Sequence, residues 1–213
     1  MRIKWLGHAC FMITSDAGVK IITDPYTAGG DLNYGEIKES ADIVTVSHNH
    51  FDHNNIAAVR GNPEVVSGTA KIKGMEFKGI PTYHDDAKGR SRGNNIIFCF
   101  EVDGLRICHL GDLGHQLDAQ QVTDLGTVDI LLIPVGGFYT MDAKVAGHVY
   151  QQIKPKVIMP MHYKNDKCGF PIAGVDDFLR DKEGVSRLDA SEIEFKRGEL
   201  PATTQIIVLK SAL

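Results

Sequence analysis

The 213-residue sequence predicts a mixed α/β (α+β) fold, a four-layer αββα sandwich built from two similar halves within one domain spanning residues 1–213. Three observations lead there. Short β-branched or apolar runs recur along the chain and dominate over helical periodicity. One set of these runs is repeated later in the chain at a near-constant offset of about 90 residues. Several runs also end in an imidazole or carboxylate side chain, which is where a strand end delivers donors to a cleft.

The elements follow in order. Met1-Arg2-Ile3-Lys4-Trp5-Leu6 enters a strand pattern at once. Phe11 to Asp24 reads as strand, Gly18 turn, strand and terminal aspartate, and Phe98 to Asp112 repeats it around Gly104. Asp42-Ile43-Val44-Thr45-Val46-Ser47 is echoed by Asp129-Ile130-Leu131-Leu132-Ile133-Pro134, and Pro63-Glu64-Val65-Val66 by Pro155-Lys156-Val157-Ile158. Such an echo implies two halves facing each other, each with a sheet inside and helices outside, and a cleft at the join. Between the echoed runs, Asn54 to Arg60 is expected to be a short helix capped by Asn54 or Asn55 and closed at Gly61. Met75 to Ile80 reads as a strand. Met141 to Ile153 is the clearest helix, with Val145, Val149 and Ile153 at a spacing of four; Asp176 to Lys182 is a weaker one. Glu192 to Leu200 and Gln205 to Lys210 read as closing strands.

A hydrophobic fraction of 43% supplies a sizeable core, and a formal net charge of −4 gives no general pull towards nucleic acid or anionic lipid. No apolar run approaches the roughly 18 residues of a membrane span. The expectation is a soluble, cytoplasmic protein that acts on a small molecule, with a homo-oligomer left open. Cys10, Cys99, Cys108 and Cys168 form no CxxC pair and read as reduced thiols.

The chemistry concentrates in His48-Asn49-His50-Phe51-Asp52-His53, directly after the buried-looking run Ala41 to Ser47. Alternate residues of an extended segment point the same way, so His48 and His50 can grip one ion. Asp52 and His53 stand just beyond, and four donors this close can serve two neighbouring ions. Imidazole and carboxylate suit zinc first, with Mn2+, Fe2+ or Ni2+ also compatible. An HxH pair can also open a (β/α)₈ barrel, but that fold needs about 250 residues of repeated strand-helix units. Further ligands at the join should come from later strand ends, where His84, Asp112 and His162 stand. Asp112 can bridge two ions. His109 competes with His84, but its parity within its strand sends it to the opposite face.

HxHxDH, a later histidine, the aspartate of Gly111-Asp112 and a final histidine after a strand resemble the metallo-β-lactamase superfamily over essentially the whole chain. The resemblance implies a first divalent ion held by His48, His50 and His84, a second held by Asp52, His53 and His162, Asp112 shared between them, and Asp24 orienting ligands from behind. Trp5-Leu6-Gly7-His8-Ala9, Gly89-Arg90-Ser91-Arg92-Gly93, Gly111-Asp112-Leu113-Gly114-His115 and Pro160-Met161-His162-Tyr163 look like the branch that includes ascorbate-6-phosphate lactonase. The expected activity is cleavage of an ester-like bond, in a lactone, phosphodiester or similar anionic small molecule, by a hydroxide shared between the two ions, with Asp52 and Asp112 as catalytic carboxylates. Arg90 and Arg92 can fork onto a carboxylate or phosphate. Tyr139, in the Gly136 to Thr140 loop, can reach substrate, and the branch resemblance puts His8 and His115 at the pocket edge. Two other classes stay open: an iron redox protein on the same fold, and a metal-stabilised scaffold without catalysis.

Overall fold

The computed structural model describes residues 1–213. Its first half is a run of five strands: β1 (Arg2–Gly7), β2 (Cys10–Thr14), β3 (Lys20–Thr23), β4 (Ile43–Thr45) and β5 (Glu64–Val66). β1, β2 and β3 pair antiparallel, and β3, β4 and β5 then pair parallel. The second half begins with β6 (Ala70–Ile72), β7 (Met75–Tyr83), β8 (Asn94–Val102) and β9 (Leu105–His109). It continues through α1 (Ala119–Leu125), β10 (Ile130–Pro134), α2 (Ala143–Ile153) and β11 (Val157–Met161). β7, β8 and β9 pair antiparallel and β9, β10 and β11 parallel, so the sequence echo is a topological repeat of β1 to β5 by β7 to β11. Gly18 and Gly104 sit at φ +85° and +74° in the two equivalent hairpin turns, a region glycine enters without steric cost.

The chain closes with α3 (Val175–Leu179), β12 (Val185–Arg187), β13 (Glu192–Glu194) and β14 (Gln205–Val208). β13 crosses back to the edge beside β1, giving a six-stranded sheet ordered β13-β1-β2-β3-β4-β5. The other strands form an eight-stranded sheet, β12-β14-β11-β10-β9-β8-β7-β6. β4, β10 and β11 are buried along their whole length, as parallel strands covered on both faces must be.

Alternation assigns the faces. Ile3, Trp5, Phe11, Ile13, Ile21 and Ile43 point into a core shared with Phe98, Phe100 and Ile107 of the opposite sheet. The other face of the first sheet, through Leu6, Cys10, Ile22 and Val44, packs in a smaller core against Tyr26, Leu32, Tyr34 and Ile37. That outer layer is loop where helix was expected, and the only helical turn on this half is a 3₁₀ turn at Ile56–Ala58. The expected caps are engaged elsewhere: Asn54 donates to Asn49 Oδ1 (2.5 Å) and Asn55 to the Tyr26 carbonyl (3.3 Å). All three α-helices belong to the second half. α2 is capped by Asp142, which accepts from Val145 N–H, and buries Ala146, Val149 and Ile153, so its buried stripe is turned slightly from the expected one. α1 was not expected; Asp118 and Gln121 form a capping box, but seven residues are too few to show a period.

Two strand bounds also differ. β7 runs on past Ile80 through Pro81, which is tolerated because β6 pairs only with Met75 to Phe77 and leaves that stretch as an edge. The closing strand expected over Glu192 to Leu200 stops at Glu194, ahead of a turn in which Glu199 N–H donates to the Lys196 carbonyl. All four cysteines are free and buried, including Cys168, which lies in the smaller core. No helix is long and apolar enough to cross a membrane.

Candidate metal centre

Donor residues gather just beyond the C-terminal ends of five strands: Asp24 after β3, the His48 to His53 segment after β4, His84 after β7, Asp112 after β9 and His162 after β11. Asp112 is the hub. Its Oδ2 lies 3.1 Å from His84 Nε2, 3.2 Å from His53 Nε2, 3.2 Å from His162 Nε2 and 3.9 Å from His48 Nε2. Around it the potential ligand atoms fall into two main groups, each drawn together within 4.8 Å: His48, His50 and His84 in one, and His8, Asp52, His53 and His162 in the other. The structure therefore brings together all seven side chains read as ligands, and adds His8.

Hydrogen bonds behind the ring set which nitrogen faces the centre. Asp24 is fully buried; its Oδ1 accepts from Ser47 N–H (2.8 Å), and its Oδ2 accepts from the Ser47 hydroxyl (2.5 Å) and His53 Nδ1 (2.9 Å). Because the Ser47 hydroxyl gives its proton to Asp24, its oxygen accepts from His48 Nδ1 (2.9 Å). His84 Nδ1 donates to the Tyr139 carbonyl (3.1 Å). In each case Nδ1 bonds backward and Nε2 faces the centre, the orientation that histidine metal ligands use. Loop packing is equally close. Gly111, at φ +54°, has no room for a Cβ against Asn95 and Ser47, and Asn95 Oδ1 accepts from Asp112 N–H (2.9 Å), which aims the hub carboxylate.

His48 Nε2, His53 Nε2, both ring nitrogens of His162 and Asp112 Oδ1 are buried without a hydrogen-bond partner. Each unsatisfied buried polar atom costs about 1–3 kcal/mol, so the four of them that face the centre, His162 Nδ1 aside, would be hard to maintain without compensation. Imidazole nitrogens and a carboxylate oxygen set this close would suit a divalent cation.

The electrostatics agree. Burial, then neighbouring His53, pushes His48 down to about 3; burial, then His162, pushes His8 down to about 4; burial, then His84, lowers His50. These rings are neutral at pH 7 and available as donors. Burial opposes charge on His53, yet Asp112 and Asp52 outweigh it and raise its pKa. Burial likewise opposes charge on Asp112 and Asp52, and the surrounding histidines outweigh it and hold both carboxyls well below the usual range. The centre is a place where positive charge is favoured.

His8 has a closer role than the pocket edge. Its Nε2 is 3.2 Å from Asp52 Oδ2, its ring centroid is 4.0 Å from that of His162, and its carbonyl accepts from His162 N–H (3.2 Å) and Trp5 Nε1 (3.0 Å). His109 stays out of the ring, bonded through Nε2 to the Ala9 carbonyl (2.8 Å) across the inter-sheet core. Arg90 folds back onto the Ala87 carbonyl (3.0 Å), while the half-buried Arg92 lies 5.6 Å from the Tyr139 ring centroid. His115 Nε2 accepts from Tyr83 N–H (3.1 Å). Arg92, His115 and Tyr139 line a cavity of about 420 Å³ that also reaches His84. Sequence reasoning missed Ser47, Asn95 and Phe170. Ser47 had a readable signal in its position directly before His48; Phe170, 5.7 Å from His8 between ring centroids, had none.

A family model described as a β-lactamase superfamily domain matches residues 2–162. The chain is 30% identical to a UPF0173 metal-dependent hydrolase from Archaeoglobus fulgidus, with 93% of this chain and 97% of that protein covered. Among solved structures it is similar to a metallo-β-lactamase superfamily protein from Thermotoga maritima described as a candidate Zn-dependent hydrolase, with a TM-score of 0.80, 38% identity, and 98% and 97% of the two chains covered. CmlA, a diiron β-hydroxylase from Streptomyces venezuelae, has a TM-score of 0.55 at 15% identity over 76% of this chain and 44% of its own, a likeness of fold alone.

Proposed function

The chain belongs to the metallo-β-lactamase superfamily, and from that membership we propose that it is a metal-dependent hydrolase working with two divalent cations, zinc foremost, on an ester-like bond in a small anionic substrate. The observation that carries this reading is the Asp112 carboxylate set among four histidine Nε2 atoms, with one ligand group on each side. When bound, the ions supply Lewis acidity and an activated water.

The residues supply the rest. His48, His50 and His84 would hold one ion; Asp52, His53 and His162 the other; Asp112 both. Asp24 fixes His53 directly and His48 through Ser47, so the two sides of the centre share one anchor. Asp52 is held by His8 and keeps 12% of its side-chain surface open, which lets its carboxylate accept a proton at the reacting position and pass it to solvent. Arg92 adds a positive charge at the cavity wall, suited to a carboxylate or phosphate on the substrate. The motifs around His8, Arg92, Asp112 and His162 that look like the lactonase branch favour lactones and sugar phosphates as first candidates, followed by phosphodiesters. Buried free thiols suit a cytoplasmic setting.

The test is a turnover screen of metal-reconstituted protein on lactones, sugar phosphates, phosphodiesters and a generic lactam. Hydrolysis of one class, lost by at least about a hundredfold in Asp112→Ala, supports the proposal; equal turnover by Asp112→Ala contradicts it.

A further inference from the structure

Three large apolar side chains are exposed: Phe51 (61%), Val65 and Phe138 (62%). Single exposed apolar residues are ordinary on a protein surface. Both phenylalanines, however, are joined through buried or half-buried rings into one arc at the metal centre. Phe51 meets Phe170 edge-on (centroids 6.4 Å apart), Phe170 meets Tyr139 (5.5 Å), and Tyr139 meets Phe138 (4.8 Å). These distances lie within the range in which aromatic pairs attract.

The arc is fastened to both ligand groups. Phe51 stands between His50 and Asp52 in the chain, and its carbonyl is fixed by Thr27 N–H (3.0 Å). Phe170 touches His8, and the Tyr139 carbonyl holds His84 Nδ1. Phe138 takes φ +62°, a left-handed conformation uncommon for a bulky residue, immediately after Gly137 at φ +65°. Its ring stands at the surface beside Tyr139.

Charge marks the far end. Arg92 lies over Tyr139, on the same cavity wall, and its loop is tied down by Asp85. Of the other carboxylates at this cavity, Asp142 is committed to capping α2, and Asp86 is exposed on the rim.

We propose that the substrate is amphipathic: an ester-like anion bearing an aromatic or bulky apolar group, which lies on the Phe51–Phe170–Tyr139–Phe138 arc while its negative charge faces Arg92 and the metal centre. This rests on the hydrolase reading above and names its substrate class. Phe51 and Phe138 are specificity residues in this account, not catalytic ones.

The test is calorimetric binding of two non-hydrolysable probes, benzylphosphonate and methylphosphonate, to the metal-loaded protein. The expected result is benzylphosphonate binding on the order of tenfold more tightly. In the Phe51→Ala/Phe138→Ala double variant, whose altered side chains are exposed, that ratio falls to near one with methylphosphonate affinity unchanged, and Arg92→Gln weakens both probes equally. Equal affinity for the two probes in the unaltered protein, no binding of either, or a ratio unchanged in the double variant overturns the proposal. So does a dimer that dissociates on the double substitution, because the arc would then be a surface between copies. Failure of the hydrolase reading is separate, appearing as absent turnover with the binding preference intact.

Discussion

At the scale of single residues, Asp24 matters as much as the ligands it never joins. It is buried, ionised and spends both oxygens on Ser47 and His53, so one side chain determines how two imidazoles face the centre. Burial opposes its charge, but His109 and His53 outweigh that and lower its pKa. Asp24→Asn keeps the size but replaces one acceptor oxygen with a donor that cannot receive the protons of Ser47 and His53. Metal affinity is therefore expected to fall by about 10- to 100-fold, measured by competition with a chromophoric chelator. Affinity equal to that of the unaltered protein would show that the bonds behind the ligands do not orient them.

At the scale of elements, the Asp85 to Gly93 turn is built around one carboxylate. Buried Asp85 accepts from Ala87 N–H (2.8 Å) and Gly89 N–H (2.9 Å) on one oxygen and from Ser91 N–H (2.9 Å) and Arg92 N–H (2.7 Å) on the other. Desolvation raises its pKa, but these four donors outweigh it and the net shift is downward. A depressed carboxylate contributes its stabilisation above its unfolded pKa of about 3.9 and loses it as pH falls through the lower folded value. Asp85→Asn should cost on the order of 1–2 kcal/mol at pH 7, seen as a lower denaturation midpoint, with the gap narrowing near pH 3. A gap that stays constant from pH 7 to pH 3 would remove charge from the explanation. The same substitution should loosen Arg92 from Tyr139.

At the scale of the whole molecule, the two halves and the clustering of the donor side chains were both legible because each rests on strand ends. A buried β-branched run announces itself, and a donor placed directly after it is delivered to the same edge of the sandwich as every other such donor; hence His48, His84, Asp112 and His162 could be chosen before any geometry was known. Parity within β9 likewise separated His109 from Asp112. What could not be read depends on contacts between distant loops. The loop layer from Tyr26 to Ile37 packs by rings inserted from glycine-punctuated chain, which carries no period. His8 joins the second ligand group only because the β1–β2 turn lies against His162, and Phe170 reaches the rim from a loop with no strand signal. α1 was too short to show periodicity, although Asp118 and Gln121 carried a readable cap.

The central claim is that side chains from four strand ends converge on two divalent cations sharing Asp112. It is tested most directly by counting metal per chain, by elemental mass spectrometry on protein purified, loaded with Zn2+ and freed of excess ion. Two ions per chain, falling to one or none in Asp112→Ala while the variant keeps its folded circular-dichroism spectrum, is the predicted result; a protein that holds no ion, or two ions retained equally without the Asp112 carboxylate, would contradict it.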